Sequence, residues 1–108
     1  MIPLLPAAEL GEGESAGAPD PHGGPGLILV RRGGRVYAYD NRCPHTGAPL
    51  DWTPGHFLDA TGEHILCALH GARFRIEDGA CLGGPCRGEG LRPRRVREVD
   101  GRLCLDEP

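Results

Sequence analysis

The sequence predicts an all-β domain with mainly antiparallel strands, on three observations. No stretch sustains a helical apolar period. Glycine and proline are abundant, 18 and 11 of 108 residues, which favours short strands joined by turns. Three dipeptides suited to tight turns, Gly33-Gly34, Asp78-Gly79 and Asp100-Gly101, each stand between short strand-like runs.

Taken in order, residues 6–26 are polar, rich in glycine and proline and without apolar period. They read as a solvated surface loop. The first hairpin joins LILVRR to RVYAYD through Gly33-Gly34. Within it Val36 and Ala38 face one way, Tyr37 and Tyr39 the other. A short strand, His64-Ile65-Leu66, leads into Cys67. A second hairpin runs from 73–76 through Asp78-Gly79 to 80–82. The third joins 96–99 to 103–105 through Asp100-Gly101. Pro93 marks an edge or a bulge, because proline donates no ladder hydrogen bond. A chain of 108 residues suits one domain, 1–108, with a modest core that a metal centre would usefully cross-link.

Composition narrows the function. The formal net charge is −3, which gives no overall electrostatic case for nucleic acid or a membrane surface. No apolar run approaches the length of a bilayer span. The opening MIPLLPAAEL has no positive n-region and makes a poor signal peptide, so a cytoplasmic setting is expected. There, five cysteines serve as ligands or thiols more readily than as disulfides. No glycine-rich phosphate loop opens a helix, and no small-molecule substrate site is expected.

The informative pattern is Cys43-Pro44-His45 followed, after twenty-one residues, by Cys67-Ala68-Leu69-His70. Each half offers a thiolate and an imidazole at close spacing. Two cysteines and two histidines suit either a tetrahedral zinc or an iron–sulfur cluster. In a mixed-ligand 2Fe–2S centre one iron takes both cysteines and the other both histidines, so each loop reaches both irons. Structural zinc sites more often present CxxC in one half and paired histidines in the other.

On these residues the sequence resembles the Rieske family. CPHTG and CALHG match its two ligand loops. The likeness extends upstream through RVYAYDNRCPH and downstream through HGARF to Gly83-Gly84-Pro85, which resembles the proline loop covering the cluster. The resemblance implies a Rieske-type antiparallel β sandwich with a small cluster-binding subdomain. Residues 1–40 and 87–108 would form the basal part and 41–86 the cluster-binding part. It implies one 2Fe–2S cluster held by Cys43, His45, Cys67 and His70. Gly47 and Gly71 would let the backbone approach the sulfurs. The gap between the boxes is longer than in compact Rieske ferredoxins, as a surface-loop insertion would make it.

High-potential members carry an extra cysteine in each loop, where this sequence has Ala48 and Leu69. They also carry serine and tyrosine hydroxyls near the cluster, where it has Gly71-Ala72-Arg73-Phe74. Hydrogen bonds to sulfur stabilise the reduced cluster, so their lack implies the low end of the range, roughly −150 mV. The implied role is one-electron transfer from a flavin-dependent reductase to an oxygenase or reductase, not catalysis by this chain alone. A small subunit resembling that of assimilatory nitrite reductase and a zinc-stabilised interaction module are the alternatives.

The other candidates read more plainly. Cys81 and Cys86 suit loop or buried thiols better than a disulfide, and Cys104 suits packing. His22, His56 and His64 are expected in loops or beside turns, and Trp52 either shields the first box or packs. Arg87, Arg92, Arg94, Arg95, Arg97 and Arg102, interspersed with acids, read as a solvated β face.

Overall fold

A computed structural model describes residues 1–44, 47–51, 55–67, 71–83 and 88–107. Ten strands are formed among them: β1 (Ile2–Pro6), β2 (Ser15–Ala18), β3 (Leu27–Arg32), β4 (Arg35–Asp40), β5 (His64–Leu66), β6 (Arg73–Arg75), β7 (Cys81–Gly83), β8 (Pro93–Arg94), β9 (Val96–Val99) and β10 (Arg102–Leu105). They make three antiparallel sheets, in the orders β1-β10-β9, β2-β3-β4-β8 and β5-β6-β7. The only helical element among the described residues is a 3-10 turn at Ala7–Glu9.

Strand β3 explains the architecture. Leu27, Ile28, Leu29 and Val30 are all buried, because the strand is covered on both faces. Leu27 and Leu29 join Leu10, Ala18, Ala38, Leu103 and Leu105 in one core, closed by the sheet of β1, β10 and β9. Ile28 and Val30 join Tyr39, Cys43, Leu50, Phe57, Ile65, Cys67, Ala72, Phe74, Ile76 and Leu91 in a second core. The alternation read in β4 is realised: Val36 and Ala38 pack with the first core, Tyr37 and Tyr39 with the second. The central sheet is therefore a partition, with the two cysteines on one side of it. At about 25 cal/mol per Å² of apolar surface, each fully buried leucine or isoleucine contributes about 2 kcal/mol to holding these layers together.

All three hairpins form where turn chemistry places them, and the strand 64–66 is β5. Gly33 and Gly34 have φ of 61° and 78°, and the Glu12 carboxylate accepts both of their N–H groups at 2.6 and 2.9 Å. Gly79 has a stricter reason to be glycine. Its φ is +75°, and a Cβ there would stand 2.8 Å from Cε1 of Tyr39 and 3.2 Å from the Leu91 carbonyl oxygen. Tyr39 is thereby locked between the partition and the second hairpin, and its hydroxyl donates to the Ile76 carbonyl at 2.5 Å. Pro93 begins β8, an edge strand, as its missing donor requires.

Two readings are corrected. The stretch 6–26 is not all loop: it holds the 3-10 turn and β2, with Leu10 and Ala18 buried. Its sequence Ser-Ala-Gly-Ala has little hydropathy contrast, so period two is invisible, yet its backbone pairs fully with β3 and the alanines sit on the first core. β1 was likewise unread; its prolines fit an edge strand that pairs only with β10, with a register shift between Pro3 and Leu5. The second correction concerns Arg94, which is buried and not part of a solvated face. Its guanidinium donates to Asp20 and Asp40, each at 2.7 Å, and to Glu107 at 2.8 Å. It joins the 19–26 segment, the end of β4 and the C-terminal tail.

Candidate metal-binding site

Cys43 and Cys67 are both fully buried and lie in one cluster of apolar side chains. Each opens a loop, and the two loops are closed alike. The Cys43 N–H donates to the Ala48 carbonyl at 2.8 Å, and the Gly47 N–H donates back to the Cys43 carbonyl at 2.7 Å. The Cys67 N–H donates to the Ala72 carbonyl at 2.9 Å, and the Gly71 N–H donates back to the Cys67 carbonyl at 2.9 Å. In both, glycine stands four residues after the cysteine and alanine five, and the glycines have φ of 77° and 71°. A Cβ on either would meet no described atom within 4 Å. The left-handed backbone at both positions favours glycine whatever stands nearby.

Different elements deliver the loops. The first follows β4 directly. The second caps the β5–β6 hairpin, whose last pair is Leu66 with Arg73. Segment 57–59 flanks that hairpin: the Leu66 N–H donates to the Phe57 carbonyl at 2.8 Å and the Asp59 N–H to the His64 carbonyl at 2.9 Å. Ser15 pins the segment to the partition, its hydroxyl donating to the Gly55 carbonyl at 2.9 Å and accepting the Phe57 N–H at 3.2 Å. His45 and His70, the other two expected ligands, lie outside the described residues, as do Trp52 and Cys86.

The surroundings fit a metal centre. The two cysteines lie among buried apolar side chains, Leu50, Phe57, Ile65 and Phe74 among them. A thiolate needs a compensating cation in such surroundings, and a bound metal supplies one. Ala72 and Phe74 are fully buried in the same core and bring no hydroxyl to it. Among the described residues, which include two of the four expected ligands, no group of three or more His, Cys, Asp or Glu converges on a metal-sized site. Cys104 is buried on β10 and Cys81 half-buried on β7, each with its sulfur near a backbone carbonyl two residues away.

Sequence reading missed Asp59. Its buried carboxylate accepts the Thr61 hydroxyl at 2.6 Å and meets His64 Nδ1 at 3.0 Å and Arg73 Nε at 3.3 Å. These partners, the Thr61 hydroxyl first, hold its carboxyl well below the usual carboxylate range. His64 thus begins the strand read from the sequence, and its ring has a partner there. A lone Asp five residues before a His carries no distinctive sequence signal.

Comparison with known proteins agrees with this geometry. Residues 1–100 match the family model of the Rieske [2Fe-2S] domain, and the chain belongs to that family. Its cofactor is accordingly one 2Fe–2S cluster. Among solved structures it is similar to the Sphingomonas yanoikuyae B1 ferredoxin, with 30% identity and a TM-score of 0.79 over 99% of this chain and 98% of that one. It is also similar to the ferredoxin of carbazole 1,9a-dioxygenase from Nocardioides aromaticivorans IC177, with 28% identity and a TM-score of 0.77 over 96% and 94%. A curated relative, the iron-sulfur subunit TsaM1 of the toluene-4-sulfonate monooxygenase system of Comamonas testosteroni, is 38% identical over 61 residues. Another, cholesterol 7-desaturase nvd of Xenopus laevis, is 44% identical over 52 residues. The matched segments span only 16% and 11% of these two longer proteins. No described helix is long and apolar enough to cross a membrane.

Proposed function

We propose that the chain is a one-electron carrier, a Rieske-type ferredoxin of low potential that serves an oxygenase system. Cys43, His45, Cys67 and His70 are the ligands in this reading. The observation that carries it is the pair of buried cysteines in two loops closed by the same hydrogen bonds. The ferredoxins of nearly equal length, one of them from a carbazole dioxygenase system, support the setting.

When bound, the cluster supplies reversible one-electron redox chemistry at a potential set by ligands, hydrogen bonds and burial. The protein's own contribution is to present two sulfurs from an apolar core, to fix both loops by backbone hydrogen bonds, and to exclude water from the cysteine side. Residues 1–40 and 87–108 act as the base and 41–86 as the redox part. That Ala72 and Phe74 offer no hydroxyl supports a low potential. The donor is a flavin-dependent reductase, the acceptor an oxygenase, and the compartment the cytoplasm.

The test is purification under anaerobic conditions, with iron and sulfide analysis and a redox titration followed in the visible. Two irons, two sulfides and a midpoint near the low end of the Rieske range support the reading. Zinc alone, or a strongly positive midpoint, defeats the cluster or the low-potential part of it respectively.

A further inference from the structure

The two ligand loops are closed alike at their tips but anchored differently at their bases. The second loop stands on a paired hairpin, with Leu66 opposite Arg73 immediately below it. Among the described residues the first has no such support: β4 is already paired with β3 and β8, and no described strand after the loop pairs beneath it. A side chain takes over that task. Asn41, just past β4, accepts the Leu50 N–H on its Oδ1 at 2.8 Å, joining the two ends of the loop. Its Nδ2 donates to Asp51 Oδ1 at 3.0 Å, and Asp51 Oδ2 accepts the Gly55 N–H at 3.1 Å. The Asn41 N–H donates to the Gly26 carbonyl at 2.9 Å, which fixes the clasp to the partition. Gly55 is in turn held by Ser15. Leu50 is fully buried in the core that contains both cysteines, so the clasp determines how the Cys43 loop meets that core.

We propose that Asn41 and Asp51 are positioning residues for the metal centre, a side-chain clasp replacing the strand pairing that the Cys43 loop lacks. The inference rests on Cys43 and Cys67 being ligands. Both side-chain oxygens of Asp51, the Asn41 oxygen and the Asn41 amide nitrogen each have a described partner, so the clasp can be inverted. Asn41→Asp leaves two carboxylates facing with no proton between them. Asp51→Asn cannot accept from both the Asn41 amide and the Gly55 N–H while keeping its own amide nitrogen satisfied. The double swap Asn41→Asp/Asp51→Asn restores all three hydrogen bonds, with donor and acceptor exchanged in the one between the two side chains while the Leu50 and Gly55 N–H groups still donate.

The experiment compares the holoprotein with these three variants by two readouts. One is hydrogen–deuterium exchange across 41–51, read by mass spectrometry. The other is the half-time of the visible cluster absorbance in excess iron chelator. Each single variant is expected to exchange and to bleach roughly fivefold to tenfold faster, the effect of one or two lost hydrogen bonds. The swap is expected to return within about twofold of the parent, a rescue that mere loss of packing does not give. Single variants indistinguishable from the parent, or a swap as impaired as the singles, overturn the proposal. If a single variant also loses protection in β3, the swap decides alone, since it carries the same two substitutions. A parent protein with no iron–sulfur chromophore defeats the ligand reading, while the exchange readout still judges the clasp.

Discussion

Replacing Arg94 by methionine tests the account of the basal fold. The guanidinium holds three carboxylates, Asp20, Asp40 and Glu107, whose side chains are only 3%, 11% and 20% exposed. Methionine fills most of the volume but removes the cation that the three acids share, leaving only the exposed Arg92, 3.5 Å from Asp40. Removing one partner of a buried ion pair costs about 3–5 kcal/mol, because the remaining charge stays desolvated. Against a total stability of about 5–15 kcal/mol, that is a large share. For a domain of this size it corresponds to a fall in Tm of roughly 15–30 °C. Thermal scans followed by both far-UV circular dichroism and cluster absorbance measure it; two probes are needed because a bound cluster can break two-state behaviour.

The pH dependence gives an independent sign. Hydrogen bonds from Arg94 hold Asp20 and Glu107 below their ordinary carboxylate values. A depressed folded pKa gives stability that is present above the unfolded pKa and is lost as pH falls through the folded one. The parent should therefore lose stability on acidification below about pH 4–5. In Arg94→Met the crowded acids favour protonation, so acidification should relieve part of the defect. A drop in Tm under about 3 °C at pH 7, or an acid dependence like the parent's, would refute the reasoning.

Other outcomes follow from the same structure. Gly79→Ala should lower stability by about 2 kcal/mol or more, because the Cβ meets Tyr39 and Leu91 at a positive φ; urea unfolding measures it. Asp59→Asn removes a carboxylate whose folded pKa is strongly depressed, so the variant should be less stable at neutral pH. Its stability should also vary less between pH 5 and 3 than the parent's, which melting curves across that range will show. Ala72→Ser and Phe74→Tyr each place a hydroxyl in the core that holds both cysteines. Each should raise the midpoint by roughly 30–60 mV if it donates to sulfur, read by spectroelectrochemical titration.

Turn chemistry and apolar runs made much of this molecule legible before its structure. Gly33-Gly34 and Asp100-Gly101 stand where the chain reverses, and LILV is buried throughout because β3 is a partition covered on both faces. Ser15–Ala18 was not legible: small residues give no contrast between faces, and only its neighbour β3 makes it a strand. Arg94 was unreadable for a related reason. Its burial depends on acids 74, 54 and 13 residues away, which no local pattern announces. At the site, the cysteine and histidine spacing was explicit in the sequence. The matching hydrogen bonds of Gly47 and Gly71 and the Asn41 clasp were not, because they depend on how the backbone closes.

Pulsed electron paramagnetic resonance of the dithionite-reduced holoprotein, grown with nitrogen-15 histidine, bears most directly on the central claim. The account predicts a mixed-valence 2Fe–2S signal coupled to two imidazole nitrogens, with one coupling lost in His45→Cys and the other in His70→Cys. A cluster signal without histidine coupling would show that the ligand set is wrong.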